Sequence, residues 1–224
     1  RLRHFVIRRM GHFITYVKGD YELAQRWYGA KGIWHNCIMY PSSSCYQACM
    51  RSQALHDTLN IQVGNSADST NNHLEILERL LPFREQNIRI FVPLSYGDEG
   101  GYAARVVDYG KRHFGEKFQP ILEFFTLEQY TAYLAQIDVA IFNHRRQQGM
   151  GNIITLLGLG KKVYMRSDVT SWATFSKLGV ELYDVKSITL DPIDVKIAEQ
   201  NSQRIADYFN EGNLCRQWKN IYEY

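Results

Sequence analysis

From about residue 59 the chain alternates short β-branched runs with amphipathic stretches, the pattern of βα units laid on a parallel sheet. Six apolar runs read as strands, at 59–63, 88–93, 119–124, 138–142, 162–166 and 181–183. The stretches between them predict helices near 71–82, 99–114, 126–136, 149–160 and 170–178, and a longer one from about 191 to 210. Thr126-Leu127-Glu128-Gln129 has capping-box spacing, in which Thr126 accepts from the Gln129 amide while Gln129 reaches back. Leu74, Leu77, Leu80 and Leu81 recur at helical spacing and predict the core face of 71–82. Phe124, Phe125, Tyr130 and Tyr133 also read as core.

The first 58 residues have a different rhythm. Apolar runs at 13–17 and 33–40 flank a polar helical stretch at 20–28, which makes one βαβ unit, too small to bury its own surfaces. Pro41-Ser42-Ser43-Ser44 then reads as linker. The division expected is the end of an upstream domain at 1–45, a linker at 46–58, a complete Rossmann-like domain at 59–190 and C-terminal helices at 191–224. The opening Arg1-Leu2-Arg3-His4, without an initiator Met, points to a fragment. For a doubly wound α/β sheet of six parallel strands the expected order is 3-2-1-4-5-6, with the ligand beyond the carboxyl ends of strands one and four.

Composition narrows the class. With 45% hydrophobic and 22% charged residues the chain is an ordinary globular protein, and disorder is excluded. No apolar run approaches the roughly 20 residues that cross a bilayer; the richest extends from Ile88 to Leu94. The net charge of +3 is uneven: residues 1–58 hold eight Lys/Arg against three acids, an excess of +5, which leaves −2 for the remainder. A basic patch of that kind attracts phosphate, nucleic acid or anionic lipid, or is simply a solvated face. Cys37, Cys45, Cys49 and Cys215 are too few for a disulfide scaffold and lack zinc-site spacing, so reduced, structural cysteines suited to the cytoplasm are expected.

Strand one is followed by Gly64-Asn65-Ser66-Ala67-Asp68-Ser69-Thr70, a loop with a Cβ-free position, small hydroxyls and a helix start. It is equally what any well-capped βα turn looks like. Strand four is followed by Asn143-His144-Arg145-Arg146-Gln147-Gln148-Gly149-Met150-Gly151-Asn152 and an apolar helix. Gly149 and Gly151 clear the first turn of that helix, whose amides and dipole favour an anion, and Arg145 or Arg146 can chelate a phosphate. Neither loop carries the Walker Gly-Lys-Ser/Thr, and the first lacks G-x-G-x-x-G, so NTP hydrolysis and NAD chemistry are not expected. Two phosphate-seeking loops at one crevice suit a diphosphate such as a nucleotide sugar. Tyr96 and Trp172 fall at the same edge and can stack on a base or sugar. His73 and Glu123 lie near it, His73 reading first as a helix-start residue. No Asp-x-Asp or Ser-His-Asp pattern is present, so neither metal nor cofactor is expected and the catalytic base stays unassigned.

Ile61-Gln62-Val63-Gly64-Asn65-Ser66-Ala67-Asp68 with Asn72-His73, and Arg146-Gln147-Gln148-Gly149-Met150-Gly151, resemble the 4-acetamido-4,6-dideoxy-D-galactose (Fuc4NAc) transferases, glycosyltransferase family 56. Val92-Pro93-Leu94-Ser95-Tyr96 and Trp172 also match that pattern, and the chain departs from it at Ala67 and in Gly97-Asp98-Glu99-Gly100-Gly101. The resemblance implies a GT-B glycosyltransferase of two Rossmann-like domains with the donor on the C-terminal one. It implies donor contacts from Gly64, Asn65, Ser66, Asn72, His73, Tyr96, Arg146, Gln147, Gln148, Gly149, Gly151, Asn152 and Trp172. It further implies a dTDP-Fuc4NAc donor, an undecaprenyl-diphosphate-linked saccharide acceptor in enterobacterial common antigen synthesis, and a peripheral place on the inner face of the cytoplasmic membrane. Nucleic acid is not an implied partner. This chain would hold the end of the acceptor-side domain and all of the donor-side domain, and would not transfer sugar alone. Two other readings are a GT-B-shaped nucleotide-sugar epimerase, for which no acid/base carboxylate pair is visible, and a non-catalytic nucleotide-sugar-binding module.

Overall fold

The computed structural model describes residues 2–39 and 57–224. A short helix, α1 (Leu2–Ile7), leads into β1 (His12–Ile14), α2 (Lys18–Tyr28) and β2 (Ile33–His35), and the two strands pair in parallel. Both strands stop before their apolar runs do. Val17 becomes the N-cap of α2, and Val17 and Ile38 leave the small sheet to be buried in the larger core. The Pro41-Ser42-Ser43-Ser44 stretch, Cys45 and Cys49 lie outside the described residues, as does the linker expected at 46–58 apart from its last two positions; Cys37 is buried and free, Cys215 exposed and free.

The remaining strands are β3 (Leu59–Val63), β4 (Ile88–Pro93), β5 (Phe118–Ile121), β6 (Val139–Phe142), β7 (Lys162–Met165) and β8 (Tyr183–Asp184). They form one parallel sheet ordered β5-β4-β3-β6-β7-β8, which is the expected 3-2-1-4-5-6. The helices are α3 (His73–Leu80), α4 (Tyr102–Phe114), α5 (Leu127–Gln136), α6 (Met150–Gly158), α7 (Thr170–Lys177), α8 (Val195–Tyr208) and α9 (Glu211–Tyr222). Alternate strand positions feed two cores, as the period of two requires. Ile61, Ile90 and Ile141 meet Ile76, Leu77, Leu80 and Val106 on one face. Ala140, Phe142 and Met165 meet Leu134, Ile153, Leu157 and Phe175 on the other. The capping box at Thr126 forms as expected.

Four expectations need correction, the first being the strand expected at 181–183, which lies at Tyr183–Asp184, where Tyr164 and Met165 of β7 supply the ladder partners. The strand expected at 119–124 ends at Ile121, where its neighbour β4 ends with Pro93 and no further ladder partner remains. Leu122, Phe124 and Phe125 therefore form an exposed loop, Phe124 being 75% accessible, although Tyr133 is buried as core. Of the four leucines expected on one helix face, Leu77 and Leu80 are buried; Leu74 is only half so, because Ile76 takes part of the inward face, and Leu81, also half-buried, falls in the 3-10 turn after the helix.

The N-terminal unit packs against the C-terminal half. Val17 and Ile38 share a core with Phe175, Ile205 and Phe209. Thr170 Oγ1 donates to Asp20 Oδ1 at 2.6 Å, Asn36 Nδ2 to Tyr208 at 2.8 Å, and the Ile38 amide to Gln217 Oε1 at 2.7 Å. Helices α8 and α9 thus join both units.

Candidate functional site

The strand order places the β3 and β6 loops side by side at the middle of the sheet's carboxyl edge. The β3 loop starts at Gly64, with φ +70°, where a Cβ would come within 2.4 Å of His73 Nε2 and 2.7 Å of Asn71 Oδ1. Only glycine lets the chain lie that close over the two side chains. Asn71 is fully buried and acts as the loop's internal brace. Its Oδ1 accepts from the Asn65 amide at 2.9 Å, and its Nδ2 donates to Ser66 Oγ at 3.2 Å and to the Asp68 carbonyl at 2.9 Å. Asp68 caps the following turn by accepting from the amide and hydroxyl of Thr70, at 2.8 and 2.6 Å. Those hydrogen bonds hold its carboxyl below the usual range.

Asn71 also reaches the second loop. His144 is 3% exposed, and its Nε2 lies 2.8 Å from Asn71 Oδ1, so Nε2 carries the proton. A second tie is the contact of Thr70 Oγ1 with the Gln148 side-chain amide at 2.8 Å, and a third is Asn72 Nδ2 donating to the Asn143 carbonyl at 3.0 Å. Asn72 itself is left-handed, with φ 51°. Burial pushes His144 down to about 4. Burial and the neighbouring His144 push His73 down to about 3. Both rings are neutral at pH 7 and brace rather than attract. His73 is wholly inaccessible beneath Gly64, with its amide 3.1 Å from the Tyr102 hydroxyl.

Gly149 caps α6 with φ +67°. A Cβ there would meet His144 Cε1 at 3.0 Å and Asn65 Oδ1 at 3.1 Å, so the helix N-terminus abuts both loops. Asn65 is 93% buried, with Nδ2 donating to the Tyr96 hydroxyl at 3.0 Å and Oδ1 unpartnered. Gly151, Gln147 and Gln148 are half-buried around that helix start, and the first-turn amides of α6 have no carbonyl of their own. Arg146 is exposed, with Nη2 3.2 Å from Asp68 Oδ2, and Arg145 lies 3.8 Å from Glu75.

Next to Asn65 a cavity of about 170 Å³ is lined by Ser95, Tyr96, Phe124, Tyr130, Tyr133 and Asn152 among others. Tyr96 and Phe124 stack at 6.0 Å and 16°, and Tyr130 hydrogen-bonds Asn152 at the far wall. Asn152 and Tyr96 therefore meet at this cavity. Trp172 does not line it; the first turn of α7 turns that side chain, half-buried, against the core. The sequence pattern names Asp68 and His144 only as positions within their loops, assigns Phe124 to the core and does not single out Asn71. Among the described residues no group of three or more His, Cys, Asp or Glu is placed to hold a metal ion, and no helix is long and apolar enough to cross a membrane.

The family model described as 4-alpha-L-fucosyltransferase glycosyl transferase group 56 matches residues 1–223. A glycosyltransferase from Rickettsia africae ESF-5 superposes with a TM-score of 0.72 at 10% identity, covering 100% of this chain and 66% of its own. Sucrose-phosphate synthase (tll1590) from Thermosynechococcus elongatus gives 0.69 at 12% identity, covering 99% and 60%. WaaG, a glycosyltransferase involved in lipopolysaccharide biosynthesis, gives 0.58 at 10% identity, covering 93% and 60%. The chain spans about two thirds or less of the length of these proteins. At such identities the likeness concerns the fold, which is GT-B.

Proposed function

The chain belongs to the group 56 glycosyltransferases, and from that premise we propose that the crevice between the β3 and β6 loops binds a nucleoside-diphosphate sugar whose sugar the protein transfers to an acceptor hydroxyl. One observation carries the reading. The α6 N-terminus at Gly149, the exposed Arg146 and the unpartnered Asn65 Oδ1 are held around one crevice by the Asn71–His144 brace. The amides and Arg146 take the diphosphate, and the stacked Tyr96 and Phe124 take the base in the adjoining cavity. Of the other residues expected at the donor, Gly64, Ser66, Asn72 and His73 shape the loop from below, whereas Gln147, Gln148, Gly151 and Asn152 border the crevice.

Transfer breaks the bond from the anomeric carbon to the diphosphate and forms one to the acceptor oxygen, whose proton leaves to a base. Negative charge builds on the departing diphosphate, where Arg146 and the α6 dipole stabilise it without rearrangement. The finer assignment, supported by the sequence resemblance, is a dTDP-Fuc4NAc donor and an undecaprenyl-diphosphate-linked acceptor at the inner face of the cytoplasmic membrane. Exposed Leu2, Phe5 and Val6, with Arg8, Arg9 and Lys31 nearby, suit an anionic lipid surface.

Calorimetry of this chain with dTDP and UDP tests the binding step. Heat or a thermal shift with either is expected; neither at millimolar nucleotide, in a folded sample, refutes the reading. Transfer of labelled sugar to a lipid-linked acceptor by the full-length protein separates the transferase from an epimerase and from a binding module, and cosedimentation with anionic vesicles tests the surface.

A further inference from the structure

Arg146 is the guanidinium best placed for a diphosphate, yet it faces a carboxylate. Its Nη2 is 3.2 Å from Asp68 Oδ2, with 59% of the arginine side chain and 36% of the aspartate side chain accessible. Asp68 is a fixed anion, because Oδ1 is occupied by the amide and hydroxyl of Thr70 and only Oδ2 is turned outward to the arginine. Thr70 contacts Gln148, the residue before Gly149, so the carboxylate sits one side chain away from the α6 N-terminus. Gly97 closes in from behind, where a Cβ would come 3.3 Å from the Asp68 amide and 3.5 Å from its side chain.

We propose that Asp68 is an internal competitor for Arg146: its carboxylate occupies the guanidinium face that a diphosphate takes, and gives way to the diphosphate on binding. The inference rests on the nucleotide reading above and adds a residue that limits affinity. A diphosphate reaching Arg146 must approach Asp68 as a like charge, and it binds only by outbidding the carboxylate. The pair is solvated, so it holds Arg146 weakly and yields to a ligand of higher charge that also engages the helix amides. Single-charge anions gain little, and diphosphate release is hastened by the waiting carboxylate.

Asp68→Asn tests this, since Asn keeps the oxygen that caps Thr70 and removes only the charge. Calorimetry on this chain is run with UDP and dTDP, and with uridine and thymidine as phosphate-free controls. The variant is expected to bind the diphosphates about two- to fivefold more tightly, the range exposed ion pairs span, with nucleoside affinity unchanged. The gain is expected to vanish in an Arg146→Ala background. Diphosphate binding by the parent that is unchanged or weaker in Asp68→Asn, with the thermal transition retained, overturns the competitor alone. A gain that survives Arg146→Ala overturns it too, by showing general repulsion. If neither protein binds any diphosphate, the nucleotide reading and the competitor fall together. Should Asp68→Asn unfold, Asp68→Ser, which also retains a capping oxygen, is read by the same criteria.

Discussion

The chemistry of the crevice depends on a few side chains whose neighbours set their state. In the proposed donor site, Arg146 would give a charge-assisted bond to phosphate, worth about 1.5–3 kcal/mol. Arg146→Ala is therefore expected to weaken dTDP or UDP binding about tenfold or more with the melting temperature retained, and equal affinity by calorimetry would remove the residue from the site. His73 and His144 behave in the opposite way, as neutral struts. Burial depresses them to about 3 and about 4, while an unfolded chain titrates them near the usual 6.5. As pH falls below about 6.5 the unfolded state takes up protons that the folded state refuses, so stability declines from there towards pH 4. Each ring contributes up to about 1.4 kcal/mol per pH unit in that window. Urea titrations at pH 7 and pH 5 are expected to show the loss, and His144→Gln, which keeps a donor for Asn71, to reduce the slope. A pH-independent midpoint would mean that the rings take up protons as readily in the fold as in the unfolded chain. None of this was legible from Asn71-Asn72-His73 read alone. Asn71 matters because its Oδ1 serves a residue 73 positions away, and such a distance has no trace in local pattern.

Elements carry these side chains to one place, and glycine sets how closely. The sequence already marked Gly149 as the start of the α6 helix. The structure adds that it is left-handed and pressed against His144 and Asn65. Gly149→Ala combines a left-handed backbone cost of about 1–2 kcal/mol with contacts at 3.0 and 3.1 Å. Thermal melts are expected to drop, and nucleotide affinity to fall with them because the α6 amides shift; a variant that melts and binds like the parent would show slack in the loop. Where strands end is a different matter. The apolar run through Phe124 and Phe125 reads as strand and core because hydrophobicity alone cannot tell a paired residue from one beyond its partner. Pairing stops at Pro93 opposite Ile121, and the aromatics that follow are released to wall the cavity.

At the scale of the molecule, the small N-terminal unit is stabilised by the helices that close the chain. Phe209 is 1% exposed and packs on Tyr16 and Phe175, so it belongs to both units. Phe209→Ala is expected to cost about 3–5 kcal/mol. Cooperative unfolding of the whole is expected too, with Trp27 and Trp34 fluorescence, read in a Trp172→Phe/Trp218→Phe background, coincident with circular dichroism. A fluorescence transition well ahead of the dichroism would show that residues 2–39 open on their own. The sequence by itself determined the α/β class and, with the usual doubly wound order taken as premise, the two loops to inspect, because a period of two against 3.6 and the rules of parallel crossovers leave few alternatives. Only the tertiary structure decided that Val17 and Ile38 leave their strands for a shared core, that Asn71 and His144 join the loops, and that Arg146 is held by Asp68. Those are contacts between residues far apart in the chain, fixed by packing and hydrogen-bond geometry that no local window contains.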